Sequence, residues 1–555
     1  MAKFSLGVDF GTLSARALLV DVDTGREVAW EVYEYPSGVI DDRLPSTGEK
    51  LPPDWALQDP QDYLDALENT VRAAIKQSGV DPGDVIGIGI DFTACTIMPI
   101  DKSGKPLSFD PKWSANPHSW VKLWKHHAAQ PQATRINELA VARGENFLQR
   151  YGGKVSSEWF FPKALQILDE APEIYAAADK IIEAGDWIVM QLTGVESRSS
   201  CAAGYKAMWE KSVGYPSNEF FEALDPRFEC IIDEKMSRCI FPVGAKAGEL
   251  TAEAADRLGL VAGAAVSVSI IDAHVAVPAA TVIKEGSLVA IMGTSTCHMV
   301  LGKSSKIIEG MGGCVEDGIL PGFFGFEAGQ SCVGDHFAWF ADNCVPASYR
   351  AEAESRAISV QDLLTQKASA LKPGQTGLLA LDWWNGNRSI LEDGDLTGLL
   401  VGMTLSTKPE EIYRALIEAT AYGTNIILEA FESGGISVDE IVACGGLAER
   451  NEMLMQIYAD VTNREFKIAE SAQTCALGSA MWGAVAAGKS RGGYEDIAQA
   501  ASKMARVKDK SYKPNPDAHR IYARLFEEYK KLHDYFGRGK NDVMKRLKAI
   551  SAQNR

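Results

Sequence analysis

The sequence predicts an α/β protein of two principal domains, and three observations carry that prediction. A chain of 555 residues exceeds what one hydrophobic core usually serves, so two domains and a tail are expected. Strand-like runs at 85–92, 265–271, 287–292 and 440–443 alternate with helix-like segments at 60–77, 162–170, 410–432 and 451–462, which is the α/β pattern. One polar turn occurs twice, as Asp9-Phe10-Gly11-Thr12-Leu13-Ser14 and as Ile291-Met292-Gly293-Thr294-Ser295-Thr296. Two turns of similar chemistry in opposite halves predict related half-domains facing one ligand.

The first turn lies between Leu6 and Val8, which alternate with small or polar neighbours, and an apolar run from Ala15 to Val22. That pattern predicts an antiparallel hairpin, whereas a P-loop or Rossmann turn leads from a strand into a helix. Gly11 permits backbone conformations closed to other residues. Successive amides through Thr12, Leu13 and Ser14, with the hydroxyls of Thr12 and Ser14, then suit a phosphate. Asp9 is placed to hold Mg2+ through its water shell. The segment alone serves an ordinary polar-tipped hairpin equally well. The second turn repeats the logic with Gly293, Thr294 and Ser295, and a strand-like run follows it. Gly445 and Gly446 lie between the strand at 441–443 and the helix carrying Asn451. They offer a close backbone approach and a helix N-terminus to the nucleotide, although a plain strand-to-helix turn uses the same glycines.

Composition narrows the function classes. A formal charge of −18 argues against nucleic acid or an anionic membrane as the main partner, while leaving room for a nucleotide held by local donors and a metal. Ten cysteines without Cys-x-x-Cys spacing predict reduced thiols in a cytoplasmic protein rather than a zinc site or a disulfide framework. The chain enters a strand without a basic-then-apolar leader, so no signal peptide is expected. The most membrane-like stretch, 260–283, carries Asp272 and His274 near its centre and reads as a buried strand and turn.

Glycines at 259 and 263 precede a fresh strand and set the expected domains at 1–262 and 263–505, with 144–238 an elaboration of the first. A helical tail at 506–555 aligns Tyr522, Leu525, Tyr529, Leu532 and Phe536 on one face. A single helix docked on the body is the expected arrangement, and a coiled-coil homodimer is the alternative. Asp272 follows the apolar run 266–271. A lone aspartate there usually caps a helix, but a strand end also borders the ligand-facing edge of an open sheet. His274 is assigned no role, since a satisfied buried histidine explains it equally.

These features together resemble the FGGY carbohydrate kinases. The first turn with Arg16, the second turn, Ile271-Asp272-Ala273-His274 and Gly445-Gly446-Leu447 match the family in order and spacing. Gly89-Ile90-Asp91-Phe92-Thr93-Ala94-Cys95-Thr96, His118-Ser119-Trp120-Val121-Lys122-Leu123-Trp124-Lys125, Gly204-Tyr205-Lys206-Ala207-Met208-Trp209 and Phe326-Glu327-Ala328-Gly329-Gln330-Ser331 are similar to the branch acting on L-ribulose. So are Asp382-Trp383-Trp384-Asn385-Gly386-Asn387-Arg388 and the segment 454–460, so the likeness runs through nearly the whole chain. It implies two actin-like ATPase (ribonuclease H-like) domains with a nucleotide and sugar cleft between them, ATP and Mg2+ as cofactors, and phosphorylation of the terminal hydroxyl of L-ribulose. Asp272 is then the base and Arg16 the cation at the transferring phosphoryl group. Trp124 is the apolar wall for the sugar, Lys206 and Glu327 its charged partners, and Ala94 supplies backbone contacts and room. Each has a structural alternative: core for Trp124, and a surface ion pair for Lys206 and Glu327.

Competing readings are another kinase of the family acting on xylulose, ribitol or glycerol, a non-metabolic actin-like ATPase, and a silent sugar sensor. Two departures stand out. Pro278 lies inside the helix expected after Asp272, where it removes a hydrogen bond, and Leu416 replaces a smaller or β-branched residue.

Overall fold

The computed structural model describes residues 2–554. Strands β1 (Phe4–Phe10) and β2 (Ser14–Asp21) pair antiparallel with Asp9 opposite Arg16, and β3 (Glu27–Glu34) extends the ribbon. Helix α1 (Pro60–Ser78) begins where Asp59 accepts from the Gln61 amide and ends at a left-handed Gly79. It returns the chain so that β4 (Val85–Phe92) runs parallel to β1. After the elaboration, in which a core of Phe160, Phe161, Phe220, Phe221 and Phe228 supports the short helix α2 (Ser200–Lys206), strands β5 (Lys246–Glu249), β6 (Ala265–Ser267) and β7 (Ile270–Ile271) complete the first sheet.

Both β6 and β7 run parallel along β4, so residues 265–271 belong to the first half and the boundary expected at 262/263 falls too early. The glycines that prompted it end a helix: Gly259, at φ 69°, caps Ala252–Leu258. Helix α3 (Asp272–Ala279) follows β7 directly and ends one residue beyond Pro278, which has no amide to bond the His274 carbonyl.

The second sheet comprises β8 (Gly286–Met292), β9 (Thr296–Gly302), β10 (Gly313–Glu316), β11 (Phe324–Gln330), β12 (Val438–Cys444), β13 (Phe466–Ala469) and β14 (Val507–Tyr512). Its order is β10-β11-β9-β8-β12-β13-β14, beside β3-β2-β1-β4-β6-β5 in the first. Leaving out β10, both sheets run antiparallel, antiparallel, parallel, parallel, antiparallel along that order. Helix α4 (Pro409–Ser433), between β11 and β12, takes the place of α1. The repeated turn is therefore the visible part of a repeated half-domain.

The two halves interlock. Helix α5 (Glu452–Thr462) leads to β13, and the next helix, α6 (Thr474–Ala487), crosses back onto β1 and β4. The approach is so close that a Cβ at Gly7, Gly87 or Gly89 would lie 1.8, 2.0 or 1.8 Å from the carbonyl oxygens of Ala476, Gly483 and Ser479. Helix α3 packs against α6 and reaches β8 and β9 of the other sheet.

The tail helix α7 (Pro516–Gly537) docks on the body: Tyr522 and Tyr529 are fully buried, Leu525, Leu532 and Phe536 partly so. Arg414 of α4 donates to the Tyr522 hydroxyl at 2.7 Å, and that hydroxyl donates to Glu418 at 2.9 Å. The tail is not wholly helical, because residues 507–512 form the edge strand β14, whose exposed lysines suit an unpaired edge. Among the described residues no helix is long and apolar enough to cross a membrane, and all ten cysteines are free thiols.

Candidate active site

The site starts from three neighbouring strand ends. In the parallel register Asp9 of β1 lies beside Asp91 of β4, and Ile270 of β7 pairs with Asp91, which puts Asp272 at the adjacent strand end. Carboxylates crowded this way disfavour each other's ionisation. Burial, and then the charge of Asp9, push Asp91 well above the usual carboxylate range; Ser479 of α6 donates to one of its oxygens at 2.6 Å and the other has no partner. Burial and Asp9 lift Asp272 to about 7, against the hydrogen bond that the Ala273 amide donates to it at 2.6 Å. Opposite Asp9, the Arg16 Nε stands 3.5 Å from its carboxylate.

The first turn caps this row. Its amide–carbonyl closure runs from Gly11 to Ser14 at 2.9 Å, Thr12 is half-buried, Leu13 is exposed at the tip and Ser14 is buried at the base. Gly11 is not in the left-handed region; the constraint there is space, since a Cβ would lie 3.3 Å from the Ser14 carbonyl oxygen. Trp124 donates from its indole nitrogen to the Thr12 hydroxyl at 3.0 Å, and Gln58 donates to the Thr12 carbonyl at 2.7 Å. Trp124 is thus half-buried against the first turn, neither deep core nor free surface.

The charged pair spans the halves. Lys206, at the end of α2, meets Glu327 of β11 at 3.1 Å, and both side chains are largely buried, which rules out a surface ion pair. Burial opposes ionisation of each, yet Lys206 together with His274 holds Glu327 below the usual carboxylate range, and Glu327 holds Lys206 above that of a free amine. His274 Nε2 lies 3.4 Å from Glu327, and its ring packs tilted against Tyr205, with centroids 4.2 Å apart. Ala94 is half-buried, next to Cys95, whose φ is 51°.

In the second half Gly293 donates to the Ser295 carbonyl at 2.9 Å, Thr294 is exposed and Ser295 half-buried. Cys297, just beyond, pairs with Gly329 on the strand that carries Glu327. Gly445 sits beside the turn at φ 90°, where a Cβ would lie 2.5 Å from the Met292 carbonyl oxygen; the glycine is required by both conformation and space. A Cβ on Gly446 would meet open space. Asn451 is partly committed elsewhere, because its side-chain oxygen accepts from the Leu454 amide at 3.0 Å as the N-cap of α5.

Asp9, Arg16, Asp272, Thr12, Trp124, Lys206 and Glu327 therefore gather where the two lobes meet. Two residues without a role in the sequence reading join them. Asp91 could have been found there, since a carboxylate inside a strand buried at every position is costly unless used. His274 follows from its contact with Glu327, which no local pattern contains.

A two-lobed α/β body with paired hairpin turns and a half-buried carboxylate at a strand end fits a sugar kinase. Family models confirm the class: the N-terminal domain of the FGGY family of carbohydrate kinases matches residues 4–278 and the C-terminal domain matches 288–487. The chain belongs to the FGGY family of carbohydrate kinases. It is 58% identical to a protein named ribulokinase from Geobacillus thermodenitrificans over 546 residues, covering 98% of this chain and 97% of that one. It is equally 58% identical to a ribulokinase from Halalkalibacterium halodurans, over 99% and 98% of the two chains. Among solved structures, xylulose kinase from Rhodospirillum rubrum shares the fold, with a TM-score of 0.78 at 20% identity over 96% of this chain and 98% of that one.

Proposed function

We propose that this chain transfers the γ-phosphoryl group of ATP to the terminal hydroxyl of L-ribulose, giving L-ribulose 5-phosphate and ADP. The observation that carries the reading is the placement of Asp272 between the first phosphate turn and the buried Lys206–Glu327 pair. A carboxylate raised to about 7 is poised to accept the proton of an attacking hydroxyl near neutral pH. Phosphoryl transfer is mostly positioning and neutralisation of oxygens, and Gly11 to Ser14, with Gly293 to Ser295 opposite, supply donors from both lobes. Arg16 neutralises charge on the transferring group. Gly445 and Gly446 leave backbone accessible to the nucleoside, and Asn451 contributes through its amide nitrogen.

Mg2+ fits the donor set. Asp9 and the unpartnered oxygen of Asp91 are hard ligands that repel each other, although among the described residues no group of three ligating side chains forms a cage. A magnesium ion bound through one or two carboxylates and the phosphates needs no cage, and when bound it neutralises phosphate charge. On the sugar side Trp124 gives a flat face, and Lys206 and Glu327 orient hydroxyls. Because Ala94 offers no polar side chain, related pentuloses and pentitols are tolerated; comparable kcat/KM for L- and D-ribulose is expected, and rejection of every isomer refutes it.

The first lobe, through residue 279, supplies most of the sugar side and the first phosphate turn, and the second lobe holds the nucleotide and reaches the sugar through Glu327. Ten free cysteines support a cytoplasmic setting. The apolar face of α7 is already used against α4, so a homodimer, if formed, uses another surface. Coupled ADP release with L-ribulose against a sugar-free blank tests the reading. Strong release without sugar favours the actin-like ATPase alternative, and none with any pentose favours a sensor.

A further inference from the structure

Arg388 lies on a loop that the catalytic reading leaves unused. The loop is pinned to β11 by a two-way clamp: the Ser389 amide donates to the Gly329 carbonyl at 3.0 Å and the Gly329 amide donates to the Ser389 hydroxyl at 3.1 Å. Asn387 and Asp393 exchange backbone hydrogen bonds at 2.9 and 2.8 Å, which closes the loop on itself. Its far side touches the first lobe, where Lys154 donates to the Glu392 carbonyl at 3.4 Å. The loop is therefore held to both lobes, to β11 of the second and to Lys154 of the first.

The Arg388 side chain lies over Gly329, where an added Cβ would come within 3.0 Å of its Cδ and 3.2 Å of a guanidinium nitrogen. Gly329 and Glu327 are two residues apart on one strand, so they face the same side, and their partners across the ladder are Cys297 and Met299. Arg388 is thus on the face of the sheet that presents Glu327 to the sugar. The acidic side chains acting on it are Glu158 of the first lobe and Glu327, and it makes no side-chain hydrogen bond or ion pair among the described residues. Glu327 is already engaged by Lys206 and His274.

We infer that Arg388 is a further sugar-contacting residue, donating to the carbonyl end of a ketopentose. This rests on the proposed function above. A guanidinium can only donate, and the one group of a ketopentose that can only accept is its ketone. Asp272, which accepts, serves the hydroxyl at the other end, so an unspent donor on the strand face of Glu327 matches what remains. A pentitol has a hydroxyl at that carbon and gains less from a fixed fork of donors.

Steady-state kinetics of Arg388→Met and Arg388→Lys with L-ribulose and with ribitol test this, alongside KM for ATP and thermal unfolding. Arg388→Met is expected to raise KM for L-ribulose about 10- to 100-fold and that for ribitol by a smaller factor, with KM for ATP unchanged. Arg388→Lys is expected to fall between parent and Arg388→Met. An L-ribulose KM within about twofold of the parent, equal factors for both sugars, or a change confined to ATP overturns the assignment. If Arg388→Met fails to fold, Arg388→Lys decides alone, and parental sugar KM and sugar preference in it overturn the inference. A parent chain that turns over neither sugar overturns the proposed function and this inference with it, whereas an active parent isolates the question of Arg388.

Discussion

Asp272→Asn removes the proton acceptor while keeping its size, and the surroundings of Asp272 set what that should cost. Burial and Asp9 raise its pKa from 3.8 to about 7, a shift worth about 4 kcal/mol against the charged form. Only the ionised carboxylate accepts a proton, so kcat/KM for the sugar should climb about tenfold per pH unit below the pKa of Asp272 and level off above it. Asp272→Asn should lower kcat by roughly 10²- to 10⁴-fold, leave ADP affinity close to the parent, and abolish that acid limb in the residual activity. Lys206 is the charge that pulls Asp272 down, so Lys206→Met should move the limb to higher pH. Coupled ADP release between pH 5.5 and 9 at saturating Mg-ATP reads all three. Near-normal turnover in Asp272→Asn, or an unchanged acid limb, refutes the role assigned to Asp272.

Arg16→Ala should lower kcat far more than it alters KM for ATP, because a contact made in the transition state is lost; a change in KM for ATP alone contradicts that role. Beneath α2, burial and then Asp186 raise Glu183 from 4.5 to about 8. Between those values the folded chain holds a proton that the unfolded chain has released, so stability is lost as pH rises through the window, by about 5 kcal/mol at most. Glu183→Gln should therefore raise Tm relative to the parent at pH 8.5 more than at pH 5, and an equal effect at both refutes it.

Legibility in the sequence followed the range of the interaction. The hairpin around Gly11, the strand at Val85–Phe92 and the helix Pro409–Ser433 show their periodicity within a few residues, so they could be read directly. The equivalence of the halves was visible only in the turns, because the shared strand order lies in pairings such as β1 with β4. Lys206 and Glu327, 121 residues apart, become a buried pair only when two lobes meet, and their roles came from family likeness. Gly259 misled because a glycine ending a helix looks the same as one ending a domain. The lysines of Val507–Tyr512 hid a strand, since an edge needs only one apolar side. Asp91 stood inside a quoted motif yet acquires a role only beside Asp9.

The seating of α6 on Gly7, Gly87 and Gly89 limits how this molecule can be divided. Cut between residues 279 and 286, the N-terminal fragment would lose the rod that fills three side-chain-free grooves, and the C-terminal fragment would carry that rod with nothing beneath it. A chimera joining the front of one relative to the back of another would survive only if the grooves and the rod came from the same parent.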